Sequence, residues 1–85
     1  MREKVRRREY LVTFHARKEM NDDGFTIFDL EKGILTGKIL ERQRDLNTGE
    51  WKYRMEGKTL GDRKIELIIK FSPTNKLVII TVYTP

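Results

Sequence analysis

Lys64-Ile65-Glu66-Leu67-Ile68-Ile69-Lys70-Phe71, Ser72-Pro73-Thr74-Asn75 and Lys76-Leu77-Val78-Ile79-Ile80-Thr81-Val82-Tyr83 form the one long apolar segment of the chain and read as a β-hairpin. Ile65, Leu67, Ile69 and Phe71 alternate onto one face. The β-branched content (Ile65, Ile68, Ile69, Val78, Ile79, Ile80, Thr81, Val82) favours a pleated strand over a helix. Ser72 to Asn75 supplies the reversal, with Pro73 presetting φ at the second turn position. In the second strand, strict alternation puts Val78, Ile80 and Val82 on one face and Leu77, Ile79, Thr81 and Tyr83 on the other. Both sets are largely apolar, so this strand is expected to be central and covered on both sides.

Working outward from the hairpin, Gly57 to Arg63 connects it to a preceding strand in which Trp51, Tyr53 and Met55 alternate with Lys52, Arg54 and Glu56. That pattern is a half-buried strand, with the aromatic side read as core. Asp45 to Gly49 is a turn-rich loop, and Lys38 to Arg44 starts apolar and becomes charged, as a strand does when it runs from core to edge. Upstream, Thr26 is an N-cap with Asp29 in the capping-box position, and Phe25 and Leu30 stand where a hydrophobic staple would be. Ile27, Leu30 and Ile34 lie along one stripe of this helix, Gly33 weakens it by up to ~1 kcal/mol relative to alanine, and Thr36-Gly37 ends it. Before it, His15 to Asp23 is a short helix with Thr13 as cap, Ala16 and Met20 facing inward, and Gly24 as terminator. Tyr10 to Phe14 has the residues of a short edge strand. The order β-α-α-β-β-β-β gives an α+β fold, with two N-terminal helices packed on a mainly antiparallel four- to five-stranded sheet. Residues 1–9 are expected to be a basic, partly frayed N-terminal segment and residues 10–85 a single domain.

The chain has 85 residues, no cysteine, one histidine and one serine. Disulfides and thiolate metal sites are thereby excluded, and neither a metal nor a cofactor is expected. No glycine-rich loop precedes a helix in a nucleotide-binding pattern, and Gly-x-Ser-x-Gly is absent. No apolar run approaches the ~20 residues that span a bilayer, and the charged start is not followed by the apolar stretch of a secretory signal, so no membrane association is expected and a cytoplasmic location fits. The net charge of +5, with 36% charged residues, suits nucleic acid or another acidic partner. A solvated surface of a heat-adapted protein has the same composition.

His15-Ala16-Arg17-Lys18-Glu19-Met20, Gly24-Phe25-Thr26-Ile27, Thr36-Gly37-Lys38-Ile39-Leu40-Glu41, Tyr53-Arg54-Met55-Glu56-Gly57 and Ile80-Thr81-Val82-Tyr83-Thr84-Pro85 resemble a family of small bacterial and archaeal domains of unknown function. That family opens on a His-Ala-x-x-x-Met helix and closes on Ile-Thr-x-Tyr-x-Pro. It in turn resembles a branch of the RelE and BrnT toxin superfamily. The resemblance implies a RelE-like sheet with two N-terminal helices and metal-independent cleavage of RNA, in many such toxins on the ribosome, with neutralisation by an antitoxin. BrnT-like chains follow their last strand with a basic tail where this sequence reads Tyr83-Thr84-Pro85, so a catalytic arginine from such a tail is not expected.

Metal-free RNA cleavage needs a base, an acid and cations for the charged transition state. The candidates for catalysis are His15, Arg54 and Tyr83, and those for RNA binding are Arg17, Lys18, Arg42, Arg44 and Thr81. His15 at a helix start is biased toward the neutral form, which suits a base; the structural alternative is an imidazole that bonds a neighbouring backbone group and anchors the first helix to the sheet. Arg42, Arg44 and Arg54 form a phosphate-binding stripe if their faces coincide, and otherwise are solvated strand residues. Two functions from different classes are therefore expected: an RNA-cleaving or RNA-binding domain, with RNA or the ribosome as partner, and a non-catalytic domain that binds an antitoxin-like protein.

Overall fold

The computed structural model describes residues 2–85. Its elements are α1 (Arg2–Arg6), β1 (Tyr10–Val12), α2 (Phe14–Asp23), α3 (Ile27–Thr36), β2 (Lys38–Arg44), β3 (Trp51–Lys58), β4 (Lys64–Phe71) and β5 (Leu77–Tyr83). The five strands form one mixed sheet in the order β1-β5-β4-β3-β2. β2 to β5 are an antiparallel meander, and β1 joins β5 in parallel. The fold is α+β. No helix is long and apolar enough to cross a membrane.

Local chemistry sets the helix ends. Thr13 is extended (φ −66°, ψ 160°) and its side chain accepts from the Ala16 amide at 3.1 Å, which stops β1 and starts α2 one residue before the expected His15. Phe14 consequently becomes the first residue of the helix and is exposed. Gly24 closes α2 in the left-handed region (φ 73°) that a side chain would disfavour. At α3 the capping box is complete: Asp29 N donates to Thr26 Oγ1 at 3.2 Å and Thr26 N donates to Asp29 Oδ2 at 2.9 Å.

α2 and α3 cover one face of the sheet. Ala16, Met20, Phe25, Leu30 and Ile34 pack there on Met55, Ile65, Leu67, Ile69, Leu77, Ile79 and Val82. α3 comes so close to β3 that a Cβ on Gly57 would lie 1.8 Å from the Gly33 carbonyl oxygen, and one on Gly33 would lie 2.6 Å from Ile65 Cγ2. The glycine that weakens the helix in isolation is therefore what lets it dock. Where the sequence suggests a frayed terminus, Arg2–Arg6 is one helical turn pinned by Val5, which is buried in the same core.

Two β-bulges change which residues share a face. In β5, Ile68 opposes Thr81 while Ile69 opposes Ile79, so Ile80 has no partner. Leu77, Ile79 and Val82 all reach the core, and Thr81 and Tyr83 cross to the open face beside Ile68 and Glu66. Strict alternation groups them otherwise; one extra residue reverses the parity of all that follow. In β2, Ile39 opposes Met55 while Glu41 opposes Arg54, so Leu40 is the extra residue. β5 is an interior strand, as expected. Its second face is only half covered: the loop after β2 leans over it, with Glu50 Oε2 3.1 Å from Lys70 Nζ and Asp45 Oδ2 3.6 Å from Lys52 Nζ.

Candidate nucleic-acid interface

Two groups of candidates separate at once, because neighbouring residues on a strand point to opposite sides. Arg54 opposes Glu41 and faces away from the helices, whereas Arg42 opposes Tyr53 and Arg44 opposes Trp51 on the helix-side face. The three arginines do not form the expected stripe.

On the open face Arg54 is held by two carboxylates. Its Nε donates to Glu41 Oε2 at 3.2 Å and its Nη1 to Glu66 Oε1 at 3.2 Å. Hydrogen bonding to Glu41, then the charges of Glu66 and Glu41, raise its pKa further, so it is a permanent cation whose charge is already matched. Tyr83 is opposite Glu66. Hydrogen bonding to the Glu66 carboxylate, burial and the carboxylate charge raise the phenol pKa, against an opposing effect of Arg54. A phenol held in its neutral form and an arginine between two carboxylates make a well-satisfied network, with little cationic character left for a phosphate. Thr81, opposite Ile68, lies on the same face.

His15 is elsewhere. Its ring is largely exposed, with Nε2 3.2 Å from Glu19 Oε1. Glu19 Oε1 in turn accepts the Val82 amide at 3.1 Å. This contact arises because β1 pairs only with Leu77 to Ile79, leaving the rest of the β5 edge to be satisfied from α2. Thr13 helps by donating its hydroxyl to the Ile80 carbonyl at 3.1 Å. The His15 ring thus meets Glu19 rather than a backbone group, and Glu19 is the residue that ties α2 to β5. No hydrogen bond or ion pair among the described residues joins His15 to Arg54 or Tyr83. Arg17 and Lys18 are exposed on α2, and Arg17 borders a shallow cleft between α2 and α3 with Met20, Asn21 and Phe25. Nearby, the Tyr10 hydroxyl donates to Glu31, and burial together with that bond pushes its pKa up to about 12.

The far end of the β2–β3 hairpin is different. Sequence alternation places Trp51 with Tyr53 and Met55 as core, and Met55 is indeed buried while Tyr53 packs edge-on against Phe71. Trp51 is not core; it is 46% exposed. α3 is ten residues long and covers ~15 Å, whereas the eight residues of β3 run ~26 Å. α3 docks at the Gly57 end, so the strand's first residue projects past the helix layer. The guanidinium carbons of Arg42 and Arg44 lie 5.9 and 5.8 Å from the Trp51 ring centroid, within cation–π range. Neither arginine has a carboxylate partner among the described residues. An exposed indole flanked by two unmatched guanidiniums can stack a base and hold a phosphate at once. The sequence carries one sign of this: Trp51 follows directly on the Asp45 to Gly49 loop and its flanking Glu50 and so begins β3.

No group of three His, Asp or Glu side chains among the described residues is placed to hold a metal ion. Comparison with known families gives one match, over residues 12–84. The chain belongs to the DUF4258 family, a domain of unknown function. Searches of curated proteins and of solved structures give no match. The family match takes in α2, α3 and the whole β2–β5 meander, and with them both the Arg54 network and the Trp51 platform, while α1 lies outside it.

Proposed function

We propose that this DUF4258 domain binds single-stranded RNA through the end of the β2–β3 hairpin, with Trp51 as the stacking platform and Arg42 and Arg44 as phosphate contacts. The observation that carries the reading is an exposed indole with two guanidiniums that no carboxylate neutralises. Sequence-tolerant single-strand binders combine the same two ingredients, because every base has a face to stack and every nucleotide a phosphate. The net charge of +5 adds long-range attraction. RNA is chosen as the strand on the resemblance to the RelE and BrnT toxins.

Two observations favour binding over cleavage: Arg54 is occupied by Glu41 and Glu66, and His15 is paired with Glu19 away from Arg54 and Tyr83. A second reading, a protein-binding domain, is favoured by β2, an edge strand exposed along its whole length with Ile39 and Leu40 outward. The two are separated by measuring anisotropy of a labelled uridine octanucleotide with the parent and with Trp51→Ala. Saturable binding that Trp51→Ala weakens by at least about 5-fold supports the RNA reading. No binding by the parent removes it and leaves the edge strand as the surface to explain.

A further inference from the structure

Lys58 and Lys64 stand directly opposite each other on β3 and β4. Like charges in that position destabilise a sheet. The same ladder has two other like-charged pairs, Lys52 with Lys70 and Glu56 with Glu66, and each is relieved within the chain. Lys52 has Asp45 and Lys70 has Glu50, while Glu66 has Arg54. The Lys58–Lys64 pair has only Asp62, 3.6 Å from Lys58 Nζ, with both side chains largely exposed.

Lys32 from α3 and Lys38 from β2 converge on the same place. The four lysines, with Glu56 and Asp62, line a cleft of about 490 Å³ where α3 meets the sheet. Lys32, Lys38 and Lys64 have no ion-pair partner among the described residues. Four ammoniums against two carboxylates leave an excess of positive charge in a concave site. Lys38 also borders a second cleft, of about 590 Å³, together with Arg2, Glu3 and Ile39. Glu3 is matched there by Arg7 at 2.9 Å. From Ile39 the bulge at Leu40 brings Arg42 and then Arg44 onto the same side of β2. Lys38, Lys58 and Lys64 share the open face with Glu56, whereas Arg42, Arg44 and Trp51 share the helix side, so the positive groups follow the β2 edge from the lysine cleft round to Trp51, over ~20 Å of strand.

We infer that the lysine cleft is a second phosphate-binding site for the same RNA strand, whose bases stack at Trp51 and whose backbone runs along β2 to Lys32, Lys38, Lys58 and Lys64. This rests on the RNA-binding reading given above. It adds a length requirement. A dinucleotide reaches only Trp51 and its arginines, while eight nucleotides, at no less than ~3.4 Å each, cover the whole line.

The test is titration of Trp51 emission with a uridine dinucleotide and a uridine octanucleotide over a range of salt concentrations. The parent is compared with Lys58→Gln, Lys64→Gln and Lys76→Gln. Each variant removes one charge, and Lys76, in the β4–β5 turn, is separated from the β2 edge by β4 and β3. The first two relieve a like-charged pair, so loss of fold is not expected. The parent is expected to bind the octanucleotide more tightly than the dinucleotide. Lys58→Gln and Lys64→Gln each lessen that advantage and reduce the slope of log K against log salt by ~0.7, while Lys76→Gln leaves it unchanged and all three bind the dinucleotide as the parent does. Equal effects from all three variants, or none from the first two, overturn the second site while leaving the platform standing. Failure of both RNAs to change Trp51 emission overturns the RNA reading and this inference together.

Discussion

The open face of the sheet and the far end of the β2–β3 hairpin both present arginine, yet in opposite states. Arg54 lies between Glu41 and Glu66, with Tyr83 joining the network. Arg42 and Arg44 lie over an exposed indole with no carboxylate. The residues are of one type and only one position apart in strand parity. What separates them is the neighbour that each strand face supplies. An arginine count shows how much charge the chain has, but the pairing shows how much of it a ligand can use.

The largest effect is expected from Trp51→Ala. Loss of stacking is expected to weaken RNA binding by about 1–3 kcal/mol, roughly 5- to 150-fold, with little change in thermal unfolding because the ring is half exposed. Calorimetry and anisotropy on one preparation check both halves. Removing the arginines of each region in turn comes next. Arg42→Ala combined with Arg44→Ala is expected to weaken binding and lessen its salt dependence, by ~0.7 in slope for each phosphate no longer neutralised. Arg54→Ala is expected to leave RNA affinity unchanged and to lower the melting temperature, because the buried Glu66 carboxylate is left without its cation. The reverse pattern would assign the RNA to the open face.

A smaller effect supplies the control. Thr26→Ala removes the α3 cap and is expected to cost about 1 kcal/mol, a fall of ~4–8 °C for a domain of this size, with RNA affinity per folded molecule unchanged. The pH dependence is the finest discriminator. Tyr10 and Tyr83 have folded pKa values above the ordinary 10.0, the first at about 12. Both hydroxyls donate to carboxylates only while protonated. Their contribution to stability is therefore full below pH 10 and is lost as pH rises through the folded values, where the unfolded chain ionises first. Alkaline unfolding should thus begin at the Tyr10–Glu31 and Tyr83–Glu66 contacts. RNA binding, which depends on guanidiniums, is expected to be flat from about pH 7 to about 8.5. Unfolding midpoints above pH 10 and RNA titrations from about pH 7 to about 8.5 check the pair of expectations.

Most of the fold was legible because its signals are local. Thr13, Gly24, Thr26 with Asp29, and Gly37 mark helix ends by their own side chains or lack of them, and Ile65, Leu67 and Ile69 mark a buried face by spacing alone. The faces of Thr81, Tyr83 and Val82 were not legible. A bulge at Ile80 depends on where the Val82 amide and the Ile80 carbonyl find partners, and these come from Glu19 and Thr13, more than 60 residues earlier. The exposure of Trp51 was hidden for a similar reason: alternation gives the side of the sheet, but burial depends on how far α3 extends over it. Gly33 shows the converse. Its cost to the helix is a sequence property, and its contact with Gly57 is a tertiary one.

The most direct test is amide and indole chemical-shift mapping of the full chain during titration with a uridine octanucleotide. The expectation is that the Trp51 indole N–H and the amides of Arg42 and Arg44 move and saturate together, while Arg54, Thr81 and Tyr83 stay in place. Shifts centred on Arg54, Thr81, Tyr83 and His15 with a stationary Trp51 would contradict it and put the RNA on the open face of the sheet.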